Sequence, residues 1–444
     1  MNKLLHTFPT NKPDITIAKA VGSKIITTSS REIYDITGGQ TSHCIIGWAN
    51  EEVNNAIKKQ IDLYSHIDYK SFIDPNREKL SDILLDSNKL GMSKVYFAGN
   101  SGGEACEAAM KLSYQIHQKY SNKKVKFISR KQSYHGSTTE TMSLGDRPNL
   151  EFYRPLFPTN KIYVSEHNFF RNAKEGELEL DYLKRSISEL EEYIIKNDPE
   201  TISAFVAETM TGGLSGYVPP VAGYWKEVRE LLNKYNIHLI VDEVIVGTGT
   251  SGKYHCLEYD QITPDFLFVG KTLSSGYAPI SAVIISELMS KELETLERIQ
   301  HSTTHQGHSL GVAAAIAVQS IVKDNLECVY AQGGLIQNQI RNNLLESKFF
   351  RNVRGRGYRF AIEYSCPDMD GFGRQLTNEM FYLEDTLIDA KWHRITFSPM
   401  LNSDFGELSD RIEKVCKKFI QLERRWHTEG NSKKMASDPQ SRSF

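Results

Sequence analysis

The stretch Phe266-Leu267-Phe268-Val269-Gly270-Lys271-Thr272 places a lysine directly after an uninterrupted apolar run. A short apolar run that ends at a glycine is typical of a strand buried on both faces of a parallel sheet. A buried lysine loses its hydration, which lowers the pKa of the amine and makes it a nucleophile toward aldehydes. A lysine that reaches the surface is the more common arrangement, so the stretch alone leaves both interpretations open.

A second apolar run, Ile237-His238-Leu239-Ile240-Val241, ends in two adjacent carboxylates, Asp242 and Glu243. Successive strand residues point to opposite faces of a sheet, so we expect the two carboxylates to serve different partners. Asp242 precedes Lys271 by about 30 residues, the length of one strand–crossover–strand unit, so both can reach one pocket. A solvent-exposed pair of acids at a strand end is the alternative interpretation.

Short apolar runs alternate with amphipathic stretches on both sides of these strands. This alternation predicts a mostly parallel sheet covered by helices on both faces, and such sheets bind ligands beyond the carboxyl ends of their strands. Ile25-Ile26 and Ile33-Tyr34 predict a small antiparallel hairpin near the N-terminus. The predicted strands of the sheet include 95–98, 125–128, 204–207, 239–241 and 266–269, and the predicted helices include 104–120 and 225–235.

Two loops after predicted strands carry further candidate residues. Asn100-Ser101-Gly102-Gly103-Glu104 joins a strand to a helix, where close backbone approach and free N–H groups can cradle a phosphate. Tyr134-His135-Gly136 follows another strand, and its aromatic side chain can stack on a flat ring. A tight turn and ordinary packing are the respective alternatives, and neither loop decides between them alone.

The glycine-rich segment Gly247–Lys253 matches most of a P-loop, GxxxxGK. The residue after the lysine should be serine or threonine to hold magnesium, but here it is Tyr254. No clear helix follows the segment in the sequence. A nucleotide-binding protein that uses this loop therefore stays the alternative from a different class of function.

Composition narrows the class of protein. The formal net charge is −2 without a basic stripe, so we predict neither nucleic acid nor a membrane as a partner. The six cysteines form no CxxC pair and lie near no His-x-x-x-His group, so we predict no metal site. The sequence has no signal-peptide pattern and no apolar stretch of about 18 residues, so a cytoplasmic location is expected.

Together, these elements resemble the class III, fold-type-I pyridoxal-phosphate aminotransferases over residues 15–423. The strongest block runs from Asp242 to Ile284, DEVIVGTGTSGKYHCLEYDQITPDFLFVGKTLSSGYAPISAVI. NSGGEA at Asn100, YHGST at Tyr134 and HSTTHQGHS at His301 support it in the order that the family has. Several motifs that agree in order outweigh the separate alternatives given above.

The resemblance implies a role for each matching residue. Lys271 would hold pyridoxal 5'-phosphate as a Schiff base and carry a proton between the substrate carbon and the cofactor. Asp242 would pair with the pyridine nitrogen and keep it protonated, which makes the ring an electron sink. Tyr134 would stack on the ring, and His135 is carried over with it as a cofactor-binding residue.

The phosphate contacts follow from the same resemblance. Ser101, Gly102 and Gly103 would hold the phosphate at the helix start. Thr304 matches a threonine that reaches the phosphate across a dimer interface. Glu208 matches a glutamate near the active site that often pairs with an arginine.

Ile245 stands where many 4-aminobutyrate and ornithine enzymes of the family place a glutamine beside the phenolic oxygen of the cofactor. Isoleucine at this position is more like the ω-amine:pyruvate branch. That branch often binds a substrate carboxylate with a mobile C-terminal arginine. Arg394 is the candidate for this arginine here, although the usual Arg-Pro pair is missing and a surface or structural arginine is the alternative.

The implied fold is α/β, with a large domain whose mostly parallel seven-stranded sheet is sandwiched by helices, and a smaller α+β domain built from both termini. We expect residues 1–60 to contribute to the small domain, 61–322 to form the large cofactor-binding domain and 323–427 to complete the small domain. The polar segment 428–444 is expected to be a disordered tail.

The implied activity is a ping-pong transfer of an amino group from an amine or amino acid to a keto acid such as pyruvate or 2-oxoglutarate. We expect a donor with a terminal or non-α amine, and a homodimer with its active sites at the subunit interface. Aminomutases, racemases and decarboxylases use the same scaffold, and the cofactor residues do not separate them from aminotransferases.

Overall fold

The computed structural model describes residue 5 and residues 15–68, 70–86, 89–121 and 123–428. Within these ranges the chain forms fifteen strands and eleven α-helices. Apart from its first residue, the predicted tail 428–444 lies outside the described residues.

Strands and helices alternate through the middle of the chain, as the apolar pattern predicts. The strands are β1 (Ile17–Val21), β2 (Lys24–Thr27), β3 (Glu32–Asp35), β4 (Met92–Gly99), β5 (Lys126–Arg130), β6 (Lys161–Val164), β7 (Ile202–Glu208), β8 (His238–Asp242), β9 (Phe266–Val269), β10 (Ser281–Ser286), β11 (Phe350–Arg356), β12 (Arg359–Tyr364), β13 (Thr386–Leu387), β14 (Asp389–Lys391) and β15 (Arg394–Phe397). The α-helices are α1 (Glu51–Leu63), α2 (Pro75–Asp86), α3 (Gly102–Gln118), α4 (Thr139–Met142), α5 (Phe169–Asn172), α6 (Glu179–Lys196), α7 (Tyr224–Lys234), α8 (Glu287–Glu294), α9 (Ser309–Asn343), α10 (Met369–Leu383) and α11 (Phe405–Thr428).

Seven strands form the central sheet in the order β4-β10-β9-β8-β7-β5-β6. β10 runs antiparallel to its neighbours β4 and β9, and the other four pairings are parallel. β7, β8 and β9 are buried at every residue, which explains why their sequences are nearly continuous apolar runs. The predicted seven-stranded, mostly parallel sheet is therefore confirmed.

Two smaller sheets lie beside the central one, in the orders β1-β2-β3-β13 and β11-β12-β15-β14. The predicted N-terminal hairpin is confirmed, because β2 pairs antiparallel with β3 and places Ile25 opposite Ile33. β13, from the C-terminal part of the chain, pairs parallel to β3. Both ends of the chain thus share one sheet, while the boundaries 1–60, 61–322 and 323–427 stay a proposal.

The start of α3 is fixed at the carboxyl end of β4. Ser101 is the N-cap residue, and its hydroxyl accepts a hydrogen bond from the N–H of Glu104 at 3.3 Å. The helix packs against β9 and β10 through one apolar face. This buried face consists of Ala105, Ala108, Ala109, Leu112 and Ile116. The cap and this face together set where the glycines of the first turn lie.

Two buried histidines stack on each other near the amino end of β8. The ring centroids of His117 and His238 lie 3.9 Å apart, with 18° between the ring planes. His238 Nδ1 hydrogen-bonds the Ser113 hydroxyl at 2.8 Å, and His117 Nε2 donates to the Ser203 carbonyl at 3.0 Å. Burial is the main cause that lowers the pKa of each imidazole to about 3. Both rings are therefore neutral in the folded chain at neutral pH.

Acidification is expected to destabilise the fold through this pair. A histidine of the unfolded chain titrates near pH ~6.5, so below that pH the unfolded chain binds protons that the folded chain does not. Each histidine then lowers the free energy of unfolding by up to about 1.4 kcal/mol per pH unit, until the folded pKa is reached. Urea unfolding near pH ~7.5 and pH ~5 measures this loss.

His238→Gln is expected to lose less stability between the two pH values than the wild type, because it removes one of the two groups. The exposed His305 provides the control, and His305→Gln should keep the wild-type pH dependence. An unchanged pH dependence in His238→Gln would contradict the assignment.

Candidate active site

A cavity of about 520 Å³ lies beyond the carboxyl ends of β4, β5, β7, β8 and β9. At this edge a parallel sheet offers free loop backbone to a ligand. Nine of the ten predicted cofactor residues line this cavity. They are Ser101, Gly102 and Gly103 after β4, Tyr134 and His135 after β5, Glu208 and Asp242 at the ends of β7 and β8, Ile245 in the next loop and Lys271 after β9.

Lys271 enters the cavity from a strained backbone position directly after β9. Its φ of 26° lies in the left-handed region, which costs a residue with a Cβ about 1–3 kcal/mol. The amine Nζ lies 6.0 Å from the centre of the Tyr134 ring. Burial is the main cause that lowers the pKa of the amine, and the nearby charge of Asp242 opposes it. Of the two interpretations that the sequence left open, the structure thus shows the lysine inside a cavity.

Asp242 is held on both carboxylate oxygens. Oδ2 accepts a hydrogen bond from His135 Nδ1 at 2.7 Å, and Oδ1 accepts one from the N–H of Val244 at 2.9 Å. Asp242 and His135 are both buried. The second ring nitrogen of His135, Nε2, is buried and has no hydrogen-bond partner among the described residues. The carboxylate is therefore fixed in orientation while it lines the cavity.

Glu243 points away from Asp242, as the alternation of strand residues predicts. Its Oε1 accepts hydrogen bonds from Thr209 Oγ1 at 2.9 Å and from the N–H of Leu257 at 2.8 Å. Its Oε2 accepts one from the N–H of Cys256 at 3.0 Å and lies 3.2 Å from His255 Nδ1. Glu243 is fully buried, so the second acid of the pair is a structural anchor behind the cavity.

The first turn of α3 presents bare backbone to the cavity. A Cβ added to Gly102 would lie 2.7 Å from Val244 Cγ2, so a side chain at this position would displace the loop after β8. Ser101 Oγ donates to Glu104 Oε2 at 3.1 Å, which closes the helix start from one side. The first N–H groups of a helix have no acceptor within the helix, so those at Gly102 and Gly103 can bind an anion.

Tyr134 forms a wall of the cavity. Its hydroxyl lies 3.0 Å from Ser137 Oγ, which fixes the tilt of the ring. The guanidinium carbon of Arg147 lies 5.1 Å from the ring centre, and Lys271 Nζ lies 6.0 Å from it. The ring therefore lies within reach of two cations and is oriented by a side chain of its own loop.

Glu208 is buried, and no arginine among the described residues pairs with its carboxylate. Oε1 accepts a hydrogen bond from the N–H of Gly212 at 3.0 Å, and Arg130 donates to the backbone carbonyl of Glu208 instead. Burial raises the pKa of the Glu208 carboxyl to about 7. Arg394 is a buried residue of β15 that donates to the carbonyls of Gly213 and Lys391, so its position is not on the surface.

Thr304 is the predicted residue that does not line the cavity of its own chain. It is exposed, and its carbonyl lies 2.9 Å from His66 Nε2. The resemblance assigns Thr304 to the active site of a second subunit, and that assignment stays a prediction.

Residues distant in sequence also reach the site, and sequence reasoning missed them. The ring of His43 packs between Gly39 and Gly276, where an added Cβ would lie 2.3 Å from it in either case. Burial and the charge of Lys271 lower the pKa of His43. Arg359, in β12, donates to the Ile245 carbonyl at 3.0 Å. No local motif marks these residues, because the N-terminal loop and the C-terminal sheet bring them here.

The segment Gly247–Lys253 does not have the geometry of a P-loop. It runs through consecutive turns and leads into a short 3₁₀ turn at Cys256–Tyr259, without a long helix behind it. The described residues contain no cluster of three or more His, Cys, Asp or Glu side chains that could hold a metal ion. Within the same residues, no helix is both long and apolar enough to cross a membrane.

A sequence model of the family described as aminotransferase class III matches residues 7–381. An uncharacterised aminotransferase of Schizosaccharomyces pombe is 33% identical over 82% of this chain and 79% of its own length. The diaminobutyrate–2-oxoglutarate transaminase of Halomonas elongata is 33% identical over 80% of this chain and 77% of its own. The gamma aminobutyrate transaminase 2 of Solanum lycopersicum is 31% identical over 79% of this chain and 78% of its own length.

Solved structures agree with the sequence relatives. The ω-transaminase of Pseudomonas jessenii in complex with PMP superimposes with a TM-score of 0.87 and 25% identity, over 93% of each chain. An ω-transferase of Vibrio fluvialis JS17 superimposes with the same TM-score at 24% identity and supports the fold.

Asp242 and Glu243 are expected to respond differently to the loss of charge. Glu243→Gln should lower the free energy of unfolding by about 2–4 kcal/mol, because a buried network loses its shared acceptor. Asp242→Asn should lower it by about 1 kcal/mol or less, because the amide oxygen can accept from the Val244 N–H while the amide NH2 donates to His135 in its other neutral tautomer. Urea unfolding of both variants without cofactor measures the difference. Equal losses would contradict the assignment of the two acids to different faces.

Proposed function

This chain belongs to the class III aminotransferases, and from that membership we propose that it moves the amino group of a donor with a terminal or non-α amine to pyruvate or 2-oxoglutarate. Amino-group transfer with pyridoxal phosphate is the activity of the family. The donor class is supported by relatives named for diaminobutyrate and gamma aminobutyrate, and by structural neighbours named ω-transaminases. Gamma aminobutyrate carries its amine on the carbon farthest from its carboxylate.

One observation carries the proposal within this chain. The amine of Lys271, whose pKa burial lowers, lines the same cavity as the carboxylate of Asp242, which His135 holds in place. A desolvated amine reacts with aldehydes, and a fixed carboxylate pairs with a protonated ring nitrogen. A cofactor that carries an aldehyde and a ring nitrogen would bind between them.

The residues that would hold this cofactor are the predicted ones. Lys271 would bind it covalently, Asp242 would pair with its ring nitrogen, and Tyr134 would pack against the ring. The bare backbone at Gly102 and Gly103 suits a phosphate, because N–H groups at a helix start attract anions. Pyridoxal phosphate bound there supplies an aldehyde and a ring that takes up electrons from the substrate carbon.

Asp242 would stabilise a charge on the cofactor, and Lys271 would transfer a proton. The two hydrogen bonds to Asp242 fix the orientation of its carboxylate, so it can stabilise a positive ring nitrogen. A lowered pKa leaves more of the Lys271 amine neutral, so it can take a proton from a substrate carbon and return it. Donor and acceptor would use the same site in turn, which is a ping-pong reaction.

Glu208 would determine which terminal groups of a substrate the cavity accepts. It lines the cavity together with the apolar side chains of Met210, Ile245 and Val246. A carboxyl with a pKa of about 7 is ionised in part of the molecules at neutral pH. The ionised form would attract a cationic donor end, and the neutral form would tolerate an apolar one.

A homodimer in a cytoplasmic setting completes the proposal. Thr304 lies outside the cavity of its own chain, as expected for a residue that serves a second copy. Phe72 and Ile73 expose 67% and 84% of their surface, which suits an apolar contact with that copy. The six cysteines form no disulfide within the chain, in line with a reducing compartment.

Lys271→Ala is expected to abolish both turnover and the absorbance near about 420 nm that a cofactor bonded to a protonated lysine gives. Lys253→Ala is the matched control, because Lys253 is an exposed lysine of the neighbouring glycine-rich loop. It should keep the absorbance and the activity. Turnover that survives in Lys271→Ala would reject the role of Lys271.

A screen of donors in half-reactions tests the substrate class. An ω-amino acid, a diamino acid and an apolar primary amine should each bleach the band near about 420 nm when no keto acid is present. Pyruvate or 2-oxoglutarate should then restore it. An aminomutase, racemase or decarboxylase would instead form product from one substrate, without needing an amino acceptor, and that result would contradict the transfer reaction.

A further inference from the structure

Arg359 is a buried cation that has none of the roles proposed above. It opens β12 and is fully buried, at 0% exposure. Within the described part of the chain its guanidinium donates to backbone carbonyls alone: Nε to Ile245 at 3.0 Å, Nη1 to Tyr358 at 3.3 Å and Nη2 to Ser42 at 3.2 Å. Among the described residues, no carboxylate forms an ion pair with Arg359.

Two arginines of the neighbouring strand β11 do have carboxylate partners, whereas Arg394 of β15 also donates to backbone carbonyls. Arg354 pairs with Glu363, and Arg356 pairs with Asp260 at 3.4 Å. A buried charge without a counter-ion is destabilising, because carbonyl dipoles replace only part of its hydration. An apolar side chain would fill the same place without this penalty. Charged groups in such surroundings are concentrated at functional sites, which points to a role for Arg359 besides stability.

The carbonyls that Arg359 binds belong to separate parts of the chain around the cavity. Ser42 lies in the N-terminal loop directly before His43, whose ring packs against Gly276 of the cavity lining. Ile245 lines the cavity, and the residue before it, Val244, donates its N–H to Asp242 Oδ1 at 2.9 Å. Arg359 therefore connects the N-terminal loop to the loop that orients Asp242.

We propose that Arg359 is a positioning residue of the transfer reaction: it fastens the Ser42 loop to the Ile245 loop and holds an unneutralised positive charge behind the cavity wall, close to Lys271. This proposal rests on the proposed function of Lys271 as the residue that binds the cofactor. It adds a contribution from the C-terminal sheet to a site otherwise built from the ends of the central strands.

Charged and titratable groups surround Lys271 from every side. They are Asp242 and Glu208 at strand ends, Tyr134 and His135 after β5, His43 in the N-terminal loop and Arg359 in β12. The two carboxylates favour a protonated amine, and Arg359 opposes them. Cys44 lies close to Arg359 but does not neutralise it, because burial raises the pKa of the thiol to about 12.

The charge of Arg359 has a direct consequence for the nitrogen of Lys271. In surroundings of low dielectric constant, a fixed cation favours the neutral form of a nearby base. With Arg359 in place, the nitrogen gives up its proton at a lower pH than it would beside a neutral residue. A larger share is then ready to accept a proton at neutral pH, as the reaction requires.

A pH titration of the holoenzyme tests this role through the cofactor band near about 420 nm, independently of turnover. Arg359→Lys keeps the charge, and Arg359→Gln keeps hydrogen-bond donors without the charge. The wild type and Arg359→Lys should titrate within about 0.3 pH unit of each other. Arg359→Gln should titrate about one unit higher, a tenfold change in proton affinity.

Arg354→Gln is the control, because it removes a buried arginine of the neighbouring strand that has its own carboxylate partner. It should titrate like the wild type, whatever its thermal unfolding midpoint. Equal shifts in Arg359→Lys and Arg359→Gln, or no shift in Arg359→Gln, would reject the role of the charge. A wild type without any titrating band would reject the assignment of Lys271 itself and, with it, the role of Arg359.

Discussion

The site depends on an amine and a carboxylate that two neighbouring parallel strands deliver to the same edge of a sheet. β8 and β9 are paired in parallel, with Asp242 opposite Phe268, so Lys271 emerges only a few residues beyond that pair. Neighbouring strands lie about 4.8 Å apart, so this register brings both side chains into one cavity without a long loop. Reduced access of water strengthens the electrostatic interaction between the two side chains. The strained backbone at Lys271 persists because the packed strands on either side hold it there.

The same sheet edge explains the glycine-rich segment that resembles a nucleotide-binding loop. A Cβ added to Gly247 would lie 2.8 Å from Glu243 Oε2, so the chain passes directly over that carboxylate. The N–H groups of Cys256 and Leu257 then bind its two oxygens. The loop thus closes around an anion that belongs to the protein itself, which is why the motif has the glycines of a phosphate loop without its helix.

Sequence patterns predicted what local physics determines. The central strands are buried on both faces, so their apolar runs stood out, and the amphipathic stretch 104–120 predicted α3, which begins two residues earlier. The opposite directions of Asp242 and Glu243 followed from strand alternation alone. The short edge strand β6 was not identified from the apolar pattern, and β10 gave no hint that it would run antiparallel. His43 and Arg359 could not be found, because pairing between distant segments places them.

The hydrogen bond between Arg359 and the Ser42 carbonyl joins residues that are 317 positions apart. The parallel pairing of β3 with β13 likewise joins the two ends of the chain. A polypeptide that leaves the ribosome from its N-terminus can therefore build the central strands early, but the contacts behind Ile245 wait for the last quarter of the chain. A product truncated before β12 would keep every residue that lines the cavity, but it would lose the buried cation that ties the Ser42 loop to the Ile245 loop.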